Sequence, residues 1–252
     1  MIGCHIANQH ETYPGVVQIY THSTKPYKQY PHAESLAANL AEHNVKFYVH
    51  STFNCLPTKP SFKYFMRTQF KIAQDLGAAG IVVHIPNAPT MSEIVDDFAI
   101  DIKSKNTVIY LEHIPGKYSN PELLQMLHTM LSQRYPKIKF GLCFDTCHTF
   151  VSGYDLGDEK VMSDYIAKLK AINCPILVHL NDSQGELGSK LDRHNTLGTK
   201  IWTRDRFGSL GMLLGQGWDC IMEIGYEDKF GPSMEFVNYV LTNVGDTKNE
   251  HS

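Results

Sequence analysis

Apolar residues gather along the chain in eight short runs rich in Val, Ile, Phe and Tyr: 2–7, 16–21, 47–51, 80–85, 108–113, 140–146, 175–180 and 220–224. None shows strict alternation, so each reads as a strand buried on both faces, the mark of a parallel sheet covered by helices. Between most of these runs lie amphipathic stretches of helical period, HAESLAANLAEHN, SFKYFMRTQFKIAQDLG, SEIVDDFAIDIK, PELLQMLHTMLSQRY and DEKVMSDYIAKLKAIN, with SMEFVNYVLTNV after the last run. Ser61, Ser92 and Ser233 stand where N-caps belong, Pro121 suits a first helical turn and Gly77 a C-terminal stop.

Strand and helix alternate over the whole length, and eight strands favour closure over an open sheet. The predicted fold is α/β, a single (β/α)8 TIM barrel over residues 1–245, followed by a polar tail at 246–252. Only eight residues separate Ala7 from Val16, too few for a full helix between the first two strands.

Composition changes this picture little. With 252 residues and 42% apolar content, the chain matches the length of about 250 residues usual for one such barrel and can bury a full core without staples. The N-terminal stretch lacks the pattern of a secretory leader, and no apolar run approaches a membrane span, so an intracellular, soluble protein is expected. Six scattered cysteines read as reduced, buried thiols, including Cys143 and Cys147, whose spacing suits core packing better than metal ligation. The net charge of −3 argues against a nucleic-acid partner at first sight. It loses that force if several acidic side chains hold divalent ions, which would make their surroundings positive.

Candidate chemistry collects at the C-terminal ends of the strands, where barrel enzymes build their sites. His50 ends the third run and His84 nears the end of the fourth. Glu112 lies in the fifth, Asp145 in the sixth with His148 just beyond, His179 in the seventh and Glu223 in the eighth; Asp192 and His194 follow in the loop after the seventh. A lone histidine in an apolar strand is ordinarily a core residue. Six successive strands ending this way are not, because carboxylates inside VIYLEH, FGLCFD and CIMEI cannot be buried without a cation or several donors. Five imidazoles and four carboxylates without a thiolate suit zinc, with manganese possible at some positions, and exceed what one ion uses. Clusters of two or three such ions carry out in-line displacement at phosphorus.

At these residues the sequence resembles the endonuclease IV family of abasic-site (AP) endonucleases. The long motifs GLCFDTCHTFVSGYDL (141–156) and HLNDSQGELGSKLDRHNTLG (179–198) carry the resemblance, with shorter likenesses at VHSTF, VVHIP, YLEHIPG and IMEI. It implies three zinc ions: one on His50, His84 and a bridging Glu112; a second on Glu112, Asp145, His179 and Glu223; a third on His148, Asp192 and His194. It further implies a hydrolase for DNA repair, cutting duplex DNA 5′ to abasic sites to leave a 3′-hydroxyl and cleaning blocked 3′ ends. Glu112 and Glu223 would flank the attacking hydroxide as catalytic residues. Phe53 is the side chain expected to fill the gap of the missing base, Lys25 a second inserted residue and Arg193 a phosphate contact. Asn181 and Asp182 are expected to orient ligands, and the barrel is expected to work as a monomer. EHIPGKY and LGTKIW depart from the family pattern, in loops that would face DNA.

The competing reading is a xylose-isomerase-like sugar isomerase or epimerase, which shares the barrel and needs one or two ions. Glu112, Asp145, His179 and Glu223 would serve it. It gives no role to His50, His84, His148, Asp192 and His194 together. A barrel that binds DNA without catalysis is a third reading, and the complete ligand set argues against it.

Overall fold

The protein is described from a computed structural model, covering residues 1–10, 12–22, 32–53, 55–99, 102 and 107–244. Eight parallel strands close a barrel: β1 (Ile2–His5), β2 (Val16–Tyr20), β3 (Lys46–His50), β4 (Gly80–Ile85), β5 (Val108–His113), β6 (Phe140–Asp145), β7 (Ile176–His179) and β10 (Asp219–Met222). Each pairs with its neighbours in the chain, and β10 returns to β1 through Ile2↔Cys220 and Cys4↔Met222. The expected TIM barrel is therefore the observed fold. Strands β8 (Asp182–Ser183) and β9 (His194–Asn195) form a small antiparallel ladder outside it.

Helices α1 (Ala33–Glu42), α2 (Phe62–Asp75), α3 (Met91–Asp97), α4 (Pro121–Arg134), α6 (Glu159–Ala171) and α8 (Gly231–Asn243) occupy the predicted amphipathic stretches. Their ends have local causes. Asn120 accepts from Leu123 N–H ahead of Pro121, which is the first residue of α4 as expected, and Asp158 accepts from Val161 N–H at the start of α6. Gly77 follows α2 with a φ of 77°, a left-handed conformation open to glycine.

The serines fare worse. Ser61 does take the N-cap position of α2, without a side-chain hydrogen bond; Ser92 lies inside α3, whose cap is Thr90, paired with Glu93 in a capping box. Ser233 lies inside α8, where its buried hydroxyl accepts from Leu197 N–H instead. Helix α3 also ends at Asp97, short of the predicted span. Two helices escaped the periodicity reading: α5 (Thr146–Val151), only 6 residues long, and α7 (Gly208–Leu214), whose two glycines mask its apolar face.

Two apolar layers result. The larger packs the helices against the outside of the sheet, and a smaller one of Val16, Tyr48, Val82, Val108, Tyr110, Cys143, Leu177 and Ile221 plugs the barrel interior. Side chains on a strand alternate between faces, so the residue two positions beyond each plug residue also points inward, one layer nearer the mouth. From Val16, Tyr48, Val82, Tyr110, Cys143, Leu177 and Ile221 that step leads to Gln18, His50, His84, Glu112, Asp145, His179 and Glu223. One turn of the pleat converts an apolar plug into a polar ring.

All six cysteines are free and five are buried, as expected of reduced thiols. No helix among the described residues is long and apolar enough to cross a membrane. The proposed tail at 246–252 lies outside the described residues.

Candidate metal centre

The strand ends bring the predicted side chains onto one point at the mouth. Nε2 of His50 and Nε2 of His84 both lie 3.0 Å from Oε2 of Glu112, the same oxygen. On the other side of that carboxylate, Oε1 is 3.0 Å from Nδ1 of His179, which is also 3.2 Å from Oε2 of Glu223. Glu112, Asp145, His179 and Glu223 offer ligand atoms within 4.8 Å of one another, and so do Asp145, His148 and His194. Above them, Oδ1 of Asp192 lies 3.1 Å from Nε2 of His148 and 3.3 Å from Nε2 of His194.

Local structure fixes these positions. Asp145 caps α5 by accepting from His148 N–H at 2.6 Å, so one carboxylate both faces the centre and sets the helix that delivers His148. The β8–β9 ladder, pairing Ser183 with His194, folds the 184–193 loop back over the mouth and returns Asp192 and His194 to it. Asn181 gives its amide N–H to Oδ2 of Asp145 at 2.7 Å and takes Glu223 N–H on its oxygen at 2.8 Å, the orienting role expected of it. Asp182 does something else. Its carboxylate accepts backbone N–H groups from Ser183, Gly198, Thr199, Lys200 and Ile201, so it holds the loop after β9 rather than a ligand.

What the arrangement holds follows from the imidazole nitrogens. His50 donates from Nδ1 to Ser51 O at 2.7 Å and His148 from Nδ1 to His113 O at 2.8 Å; His194 Nδ1 faces Glu223 O at 3.3 Å. With Nδ1 turned to a backbone oxygen in each, all three rings present Nε2 to a carboxylate oxygen. At about 3 Å such a nitrogen and oxygen share a cation, which is a proton in the metal-free site and can be a metal ion in its place, since ligands about 2.0–2.1 Å from a tetrahedral zinc stand about 3.3 Å apart. The donor set is nitrogen and oxygen only. Cys147 comes near Asp192 and His194, but burial pushes its thiol well up and keeps it protonated. The residues fit divalent metal, with zinc chemistry the closest match.

The electrostatics agree. Burial acts to raise the Glu112 carboxyl, yet the imidazoles of His84 and His179 hold it well below the usual carboxylate range. Burial also works against a charged His148, but Asp145, Asp192 and Glu112 lift it to about 10; against the same opposition, Asp192 and Asp145 lift His194 to about 9. Asp145, fully enclosed, is pushed up by burial. Such a site draws protons into positions where metal would otherwise stand.

Phe53 stands at the rim, 61% exposed, with its ring 5.5 Å from that of His84. Arg193 is exposed on the 184–193 loop. Lys25 lies outside the described residues. Two members of the inner layer went unread in the sequence: Gln18, fully buried among Glu223 and His179, and His5, whose Nδ1 is buried without a hydrogen-bond partner. The signal was there for Gln18, as an amide within the apolar run VVQIY.

A parallel barrel with a carboxylate and imidazole centre at the C-terminal mouth is the architecture of one broad family of enzymes. Residues 13–239 match that family, the xylose isomerase-like TIM barrels, and the chain belongs to it. Within it the chain is similar to proteins named probable endonuclease 4. Identity is 28% over 182 residues with that of Mycoplasmoides gallisepticum, covering 64% of this chain and 60% of the relative. It is 43% over 101 residues with that of Nitrosopumilus maritimus, covering 38% and 36%. The matches thus span less than two thirds of these curated relatives. In fold the chain resembles endonuclease IV from Thermus thermophilus, with a TM-score of 0.74 at 19% identity over 96% of this chain and 99% of that one.

Proposed function

We propose that the protein is a zinc-dependent DNA repair endonuclease that hydrolyses the phosphodiester 5′ to abasic sites in duplex DNA, leaves a 3′-hydroxyl and also removes blocked 3′ ends. One observation carries the reading: nine candidate ligands, five imidazoles and four carboxylates, converge on one mouth, more than a one- or two-ion isomerase site employs. Similarity to proteins named endonuclease 4 and apurinic-apyrimidinic endonuclease supports the choice of substrate.

His50, His84 and Glu112 would hold one ion, Glu112, Asp145, His179 and Glu223 a second, and His148, Asp192 and His194 a third, with manganese able to replace zinc at some positions. Bound zinc supplies Lewis acidity, bringing water to a pKa of about 7 and offsetting phosphate charge. The chain's own groups do the positioning. Glu112, with no exposed surface, ties the first two sets together, while Glu223 keeps 14% of its side chain exposed and is the carboxylate placed to take a hydrogen bond from the attacking water. Phe53, projecting beside His84, fills the space of a missing base, and Arg193 meets a phosphate next to the third set. A monomer suffices for this work.

The test is incubation of metal-loaded protein with a duplex carrying one abasic analogue, beside a panel of keto and aldo sugars, with metal content measured on the same sample. Nicking at the lesion with two to three ions per chain is the expected result. Sugar interconversion with one ion and no nicking would transfer the protein to the isomerase reading.

A further inference from the structure

The inner layer contains one neutral amide among its imidazoles and carboxylates, and it touches two of them at once. Oε1 of Gln18 is 2.9 Å from Nε2 of His179, and Nε2 of Gln18 donates to Oε1 of Glu223 at 3.0 Å. Both atoms of one rigid, planar group are therefore committed, and they are committed in a fixed sense. An amide oxygen only accepts, so His179 must carry its proton on Nε2; an amide nitrogen only donates, so Oε1 of Glu223 is taken up as an acceptor. The atoms turned toward the centre are then Nδ1 of His179, facing Glu112 and Glu223, and Oε2 of Glu223, which the Asn181 amide also approaches at 3.4 Å.

The consequence is a reversal of ring orientation. His50 and His148 place Nδ1 on a backbone carbonyl and offer Nε2 to a carboxylate. His179 cannot do this, because its Nδ1 already points at the carboxylates, and a backbone oxygen is not what meets its Nε2. A side-chain acceptor from another strand is required, and β2 supplies it across the barrel interior, from a position separated from His179 by 161 residues in the chain.

We infer that Gln18 is a positioning residue of the metal centre, which selects the Nε2–H form of His179 and the ligating oxygen of Glu223, and so organises the set formed with Glu112 and Asp145. The inference rests on the metal-centre reading above. It explains why a polar side chain stands fully buried in a strand whose neighbours Val16, Val17 and Ile19 are apolar. A buried amide is costly unless its hydrogen bonds are made, and here they are made to the groups that would hold an ion.

The experiment compares the parent with Gln18→Met, which keeps length and removes both polar atoms. Zinc is titrated against a chromophoric chelator, without DNA. Loss of an outer-shell partner usually weakens metal binding about 10–100-fold, and that loss is expected for one class of ion while the others bind within about twofold of the parent. Nitrogen-15 spectra of the imidazole rings give a second readout that a packing role would not move: parent His179 must be protonated on Nε2 and the metal bond must fall on Nδ1. If Gln18→Met does not fold, the parent spectrum alone decides. A His179 protonated on Nδ1, or Gln18→Met binding every zinc as tightly as the parent, overturns the role of Gln18. A parent that takes up no divalent metal overturns the metal centre itself, which is a separate result.

Discussion

Removing the metal and varying the pH tests the centre most directly. In the metal-free protein His148 is lifted to about 10 and His194 to about 9, burial opposing each shift and Asp145 and Asp192 producing it. Both rings therefore hold an extra proton at neutral pH, and an ion taking His148, Asp192 and His194 must displace two of them. Each displaced proton adds one logarithmic unit of apparent affinity per pH unit, so zinc affinity at this position should rise about 100-fold per pH unit between about pH 6.5 and about pH 8.5. The slope then flattens as the rings titrate on their own.

Stability of the stripped protein should move the opposite way. A histidine whose folded pKa exceeds its unfolded value of about 6.5 stabilises the fold fully below that pH, and the contribution is lost as pH climbs through the folded value. The window here runs from 6.5 to about 10. Metal in excess reverses the trend, since binding at 100 times Kd adds about 2.7 kcal/mol, or about 5–11 °C in Tm for a domain of this size. Chelator competition and thermal melts at several pH values measure both. A zinc affinity that does not change with pH, or a stripped protein that grows more stable from neutral to alkaline pH, would refute the reasoning.

Other perturbations separate the parts of the site. Glu223→Gln should fold and lower kcat/KM for an abasic duplex by at least about 100-fold, with metal content measured alongside; undiminished turnover would remove Glu223 from the chemistry. Phe53→Ala should reduce the preference for abasic over intact duplex, and equal preference in variant and parent would end its role in filling the gap. Arg193→Ala should weaken binding and reduce the slope of log affinity against log salt by about 1, which an unchanged slope would contradict. Asp182→Ala strips the acceptor from five backbone N–H groups, and with water reaching part of the loop the expected cost is about 3 kcal/mol, a fall of about 6–12 °C in Tm. A change below about 2 °C would show that the loop holds itself.

Much of this protein is written in local order. Strands buried on both faces must be apolar throughout, so the runs around Val49, Val83, Leu111 and Phe144 announced themselves, and any carboxylate or imidazole among them stood out. Helix ends were less legible. Thr90 rather than Ser92 caps α3, and Ser233 bonds the chain at Leu197 instead of capping α8, because a hydroxyl serves whichever donor the packed structure brings near.

Only the closed barrel decided which polar residues share a layer. Gln18 looks like any amide until the barrel closes and its side chain reaches across the interior to His179 and Glu223. Asp182 likewise could not be told from an orienter of ligands until the loop from Gly198 to Ile201 was seen wrapped around it. Apolar periodicity is a property of neighbouring residues and survives in the linear order. Hydrogen-bond partners more than 100 residues away, such as Gln18 and His179 with a separation of 161, are chosen by strand stagger and barrel closure, which exist only once the chain has folded.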